Sequence, residues 1–83
     1  MIAPTVHCNG TPKRDHTKAN LAAQRALNLA MDALTAAGPT GRDYYPQGGG
    51  AWKPAQEEHG ARMDALRGVL VELDALLTAI DEQ

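Results

Sequence analysis

Toward the C-terminal end, the apolar residues Met63, Leu66, Leu70, Leu73, Leu77 and Ile80 recur at alternating steps of three and four. That spacing puts them on one stripe of an α-helix, in the pattern of a heptad seam. Extended backwards, the same stripe lands on His59 and then Gln56, so it turns polar before it ends. Pro54 suits a first helical position, and Gln56, Glu57 and Glu58 complement the positive end of the helix dipole. A helix over about 54–81 is predicted.

An earlier stretch, about 15–37, is rich in Ala and Leu, both strong helix formers. Asp15 or Thr17 is the predicted N-cap, and Gly38-Pro39 is the stop signal. Its apolar stripe is built from smaller residues: Leu27, Ala30, Met31, Leu34 and Ala37, with Ala23 a turn earlier. Small contact residues let two helices approach closely, which predicts an antiparallel hairpin. Val69 and Leu76 widen the second seam beyond what one slim partner helix covers. The pattern therefore predicts self-association into an oligomeric helical bundle, the alternative being that the N-terminal segment folds back over that flank.

Residues 1–14 hold Pro4, Asn9, Gly10 and Pro12, a density of breakers that predicts an extended arm with a turn at Asn-Gly. Between the helices, the connection at about 38–53 is long against the roughly 2–8 residues usual for such links. Gly48, Gly49 and Gly50 fit either a floppy linker or a backbone that lets a ligand approach closely. The expected architecture is all-α: an arm at 1–14, then a hairpin at 15–83 with a long structured loop.

Composition narrows the function classes. At 83 residues the chain has room for one domain with a small core, for which a partner chain is the expected supplement. A single cysteine, Cys8, forms no internal disulfide, and no Cys/His pairs stand at zinc spacing. Net charge is −2 with Lys and Arg scattered, which argues against a long nucleic acid as partner. No signal-peptide pattern and no apolar run of about 20 residues is present, so a cytoplasmic protein without membrane contact is expected.

All three aromatic residues, Tyr44, Tyr45 and Trp52, fall in the inter-helix loop beside Arg42, Asp43 and Lys53. Their flat faces suit stacking on a base and the cations suit a phosphate, while the plainer reading is that Tyr44, Pro46 and Trp52 cap the end of the hairpin. His59 and Arg62 lie one turn apart just past the loop and could frame an anionic pocket with Arg42. His59 could equally be a buried polar residue bonded to a backbone carbonyl or to Asp43. In the arm, His7, Asn9 and Thr11 set hydrogen-bonding groups around a flexible glycine, able to close over a ligand. There is no serine and Cys8 lies in the arm, so no nucleophile stands beside a base and catalysis is not expected. No cofactor or metal is implied.

Three segments together, His7-x-Asn9-Gly10-Thr11, the octapeptide GRDYYPQG at 41–48, and Glu58-His59-x-x-Arg62, resemble a group of small helical-hairpin proteins of tailed bacteriophages and prophages. The resemblance covers most of the chain, and the octapeptide is its specific part. Thr40 and Pro12 stand where such proteins usually carry Asn and Ser. By position it implies a polar set of His7, Asn9, Thr11, Arg42, Asp43, Tyr44, Tyr45, His59 and Arg62, and action in the cytoplasm of an infected bacterium. The expected function is anti-defence binding: a sponge that sequesters a nucleotide-derived immune signal such as a cyclic oligonucleotide or a cyclic ADP-ribose variant. Tyr44, Tyr45 and Trp52 would stack and Arg42, His59 and Arg62 would hold phosphate. The alternative is a protein–protein inhibitor or adaptor that meets a host defence protein or phage component through the aromatic loop.

Overall fold

The computed structural model describes residues 1–83 and is all-helical. Helix α1 spans Lys13–Ala36, a one-turn α2 spans Gly41–Tyr44, a 3-10 turn follows at Tyr45–Gln47, and α3 spans Trp52–Asp81. Helices α1 and α3 pack against each other. Lys13 Nζ donates to the Asp81 carbonyl at 2.7 Å at one end, and His59 lies against Gly38 at the other, so the two helices run antiparallel. The result is a rod, 61 × 20 × 16 Å.

Helix α1 starts earlier than its sequence suggests, because Pro12 and not Asp15 or Thr17 is the N-cap. With φ fixed at −57°, Pro12 presents its carbonyl to the amides of Asp15 and His16 at 2.9 and 3.1 Å. Asp15 then sits in the first turn, where its charge complements the dipole. The Gly38-Pro39 stop falls where expected, but Gly38 does not take the left-handed conformation of a glycine cap: the helix ends at Ala36, and the amide of Gly38 closes on the Thr35 carbonyl at 3.1 Å. Helix α3 begins at Trp52, two residues before Pro54; the proline still falls in the first turn, where a missing amide costs no ladder bond.

Every position of the predicted α3 seam is buried or half-buried, with Ile80 fully enclosed and Met63 8% exposed. These two are the only buried side chains in the protein. The α1 stripe matches expectation at Leu27, Met31 and Leu34 and differs at its alanines. Asn20, Gln24, Leu27, Met31 and Leu34 turn inward, and Ala23, Ala30 and Ala37 are exposed. Alanine gives α3's leucines too little to pack against, whereas the longer side chains one residue along fill the space between the axes. Two of these five inward residues, Asn20 and Gln24, are therefore polar, and Asn20 Nδ2 returns to the His16 carbonyl at 2.9 Å.

The remaining surface divides into two unlike sides. Residues that precede an inward position are Ala19, Ala23, Ala26, Ala30 and Ala33 on α1, with Ala37 just past its end before half-buried Gly38, and Glu58, Arg62, Ala65, Val69, Glu72, Leu76 and Ala79 on α3. One step back along a helix is a rotation of about 100°. The antiparallel helices are related by a two-fold, so this rotation carries both sets to the same side. Residues that follow an inward position occupy the other side and include Arg25, Asp32, Asp64, Arg67, Asp74 and Asp81.

The N-terminal arm is extended with a turn at 7–10, where the Gly10 amide donates to the His7 carbonyl at 3.1 Å. It is held at the terminal end of the rod by Gln83, whose Oε1 accepts from the Val6 amide and whose Nε2 donates to the Pro4 carbonyl, both at 2.7 Å. No helix is long and apolar enough to cross a membrane.

Candidate functional site

The segment between α1 and α3 is folded back over the rod's end. Thr40 caps α2, and Asp43 accepts from its hydroxyl at 2.7 Å, so Asp43 pairs with Thr40 where the sequence suggested His59. The one-turn α2 delivers Tyr44 to Trp52, the first residue of α3; their ring centroids are 6.0 Å apart and the planes tilt by 42°. Both rings are half-buried. Gly41 completes the contact, since a Cβ there would stand 3.8 Å from the indole. Gly48, at φ 101°, ends the 3-10 turn in a conformation that favours glycine.

Beneath this cap lies a recess of about 540 Å³ walled by Tyr44, Gln47, Glu58, His59 and Arg62, with Leu34 and Pro54 among its apolar lining. That volume falls within the range of small-ligand sites, about 300–1,000 Å³. A second recess of about 480 Å³ lies across His59, between Thr35, Gly38, Thr40, Gln56 and Gly60. Lining residues Ala37, Glu58 and Arg62 set the first recess on the alanine side of the rod; Thr35 and Gly60 set the second on the charged side. His59 separates the two, packed against Gly38: a Cβ at 38 would be 3.1 Å from Nε2, close enough that the imidazole would have to shift.

The first recess is of mixed charge. Arg62 stands 3.7 Å from Glu58 across one helical turn, both side chains more than half exposed, an ion pair weak enough to be displaced by a better anion. Glu58 and Gln56, expected from sequence to complement the helix dipole, each line a recess, and the Glu58–Arg62 spacing was the available signal.

Of the predicted residues, Tyr44, His59 and Arg62 come together around one cavity. Trp52 backs Tyr44 and lines neither recess. Arg42 is exposed and also lines neither, so it does not complete the frame expected with His59 and Arg62. Tyr45 projects outward, 75% exposed. His7, Asn9 and Thr11 lie at the opposite end of the rod, separated from the loop by the 24 residues of α1, about 36 Å of helix. The arm of one chain therefore does not close over that chain's own loop. Comparison with protein-family models, with curated proteins and with solved structures finds no match, so the chain's own residues and geometry carry the functional reading.

Proposed function

We propose that the protein is a phage anti-defence binding protein, a homo-oligomeric hairpin bundle that sequesters a nucleotide-derived immune signal in the recess beneath its aromatic cap, without turnover. The observation that supports it best is the convergence of a tyrosine face, an imidazole and a guanidinium on one cavity of nucleotide-compatible size. Tyr44 stacks on the base, a contact worth about 1–3 kcal/mol. Arg62 exchanges Glu58 for a phosphate, to which its fork donates two parallel bonds, and His59 adds a third donor. The phage setting and the cytoplasm of an infected bacterium rest on the resemblance carried by the 41–48 octapeptide and its flanks.

Arg42 and Tyr45 lie outside the recess, and the arm residues His7, Asn9 and Thr11 belong to the site of a neighbouring copy. Isothermal calorimetry against a panel of cyclic dinucleotides, cyclic trinucleotides and cyclic ADP-ribose variants tests this. Binding by at least one, lost in Arg62→Ala and in Tyr44→Ala, is the expected outcome; no heat from any of them at micromolar protein rejects it.

A second reading is favoured by Tyr45 alone. A large aromatic ring 75% exposed at a loop tip, next to Arg42, has the composition of a protein-interface anchor. On that reading Tyr45→Ala abolishes capture of a host defence protein or phage component and leaves small-molecule binding untouched.

A further inference from the structure

We infer that the alanine side of the rod is a contact face for a second copy of this chain, set antiparallel about a two-fold axis that passes close to Val69. The inference rests on the self-association proposed above and gives it a surface and an order. The α1 half of this side is a heptad seam made wholly of alanine: Ala19, Ala23, Ala26, Ala30, Ala33 and Ala37, all exposed. On the other side of the rod, exposed Leu21 and Val71 are separated by charges: Arg25 and Asp32 on α1, and Asp64, Arg67, Asp74 and Asp81 on α3. Alanines add little to the α1–α3 contact, yet they leave one long side of α1 free of charge and flat enough for a second backbone to approach closely.

The area argues for an occupant of this size. The chain exposes 5997 Å², roughly 1,200 Å² more than the roughly 4,800 Å² expected of a compact protein of its 8.8 kDa. A stable interface needs about 800 Å² from each partner. With Met63 and Ile80 as its only buried side chains, the single rod has the surface of half an assembly.

Charge selects the order. The seam runs from Ala19 to Ala37, so its midpoint lies near Asn28. The end contacts, Lys13 with Asp81 and His59 with Gly38, put Val69 at about the same level. A parallel dimer would set each α3 against the partner's α1, leaving Arg62 and Glu72 to face alanines with no counter-charge. The antiparallel dimer sets α1 on α1 and α3 on α3. Val69 then meets the partner's Val69, and Arg62 comes within about one turn, roughly 5 Å along the axis, of the partner's Glu72, twice by symmetry. Because Ala37, Glu58 and Arg62 belong to both this face and the first recess, the second copy also brings its terminal end, with the turn at 7–10, beside the aromatic loop.

Sedimentation equilibrium of the full chain, of Ala26→Glu/Ala30→Glu, and of Asn28→Glu on the charged side tests the face; Val69→Cys in a Cys8→Ser background, oxidised at low concentration, tests the order. Expected are a wild-type mass of at least twice 8.8 kDa, a fall to the single-chain mass for the alanine-side variant only, and a Val69→Cys disulfide that doubles the mass under denaturing conditions. A monomeric wild type overturns the self-association reading together with this inference. An associated Ala26→Glu/Ala30→Glu protein overturns the face and leaves self-association standing. Absence of the disulfide overturns the antiparallel order, a readout that does not depend on the glutamate variant folding.

Discussion

Substituting alanine for glycine at three positions should change stability in opposite directions. At Gly60 and Gly68, both within α3, a Cβ would meet nothing within 4 Å. Glycine in a helix interior costs about 0.5–1 kcal/mol relative to alanine. Each substitution should therefore raise the midpoint of thermal unfolding, by about 4–8 °C per kcal/mol for a chain of this length. At Gly38 the same Cβ would stand 3.1 Å from His59 Nε2 and 3.1 Å from the Thr35 carbonyl oxygen. The imidazole can swing away; the backbone oxygen is held by the last turn of α1. Overpacking of this kind costs about 1–3 kcal/mol, which outweighs the roughly 0.4–1 kcal/mol gained by stiffening the unfolded chain. Thermal unfolding followed by circular dichroism at one fixed protein concentration compares the three. Gly38→Ala should melt below wild type and should shift the ring resonances of His59 while leaving those of His7 and His16 in place. A Gly38→Ala protein that melts above wild type alongside Gly60→Ala and Gly68→Ala would refute the claim that the Thr35 carbonyl crowds a Cβ at that position.

Three further outcomes follow from the packing. Ile80→Ala, at a fully enclosed position, should cost about 2–5 kcal/mol, while Val71→Ala, 72% exposed, should stay within about 0.5 kcal/mol; urea titration separates them. Gln24→Leu puts an apolar side chain at a half-buried position of the inward α1 stripe and should raise stability by roughly 1 kcal/mol, read in the same titration. Gln83→Ala removes the two hydrogen bonds that hold the arm at Val6 and Pro4, worth about 0.5–1.5 kcal/mol each, so hydrogen exchange at the Val6 amide should accelerate about tenfold with no change at the α3 amides.

The α3 seam was legible because six large apolar residues at helical spacing have one efficient way to be buried, and the Gly38-Pro39 stop because no helix continues through it. The α1 face was misread because alanine scores as apolar in a pattern yet fills little space. Asn20 and Gln24 look like surface residues, and only the geometry of two antiparallel axes shows that their longer side chains occupy the groove. Tyr44, His59 and Arg62 come to one recess because the connection, long as it is, folds back over the start of α3. The separation of His7, Asn9 and Thr11 from that loop follows from α1 itself, a straight spacer between two motifs that read as neighbours in a list of polar residues.

That spacer bears directly on how a ligand would be held. If the loop recess worked alone, its base would be gripped by Tyr44 on one face and its phosphate by Arg62 with His59, while the side shared with Ala37 stayed open to water. Screening there weakens a single guanidinium contact, and Glu58 at 3.7 Å competes for it. Closing that side with a second copy removes water from the contact and strengthens the attraction of the guanidinium for a phosphate, which must displace both Glu58 and the partner's Glu72. The alanine seam and the recess therefore belong to one argument: affinity for an anion should fall in the same variants that lose the dimer, even though Ala26 and Ala30 line no part of the cavity. Titrating whichever cyclic nucleotide binds wild type into Ala26→Glu/Ala30→Glu measures this, and wild-type affinity in a monomeric variant would show that the recess is complete in a single chain.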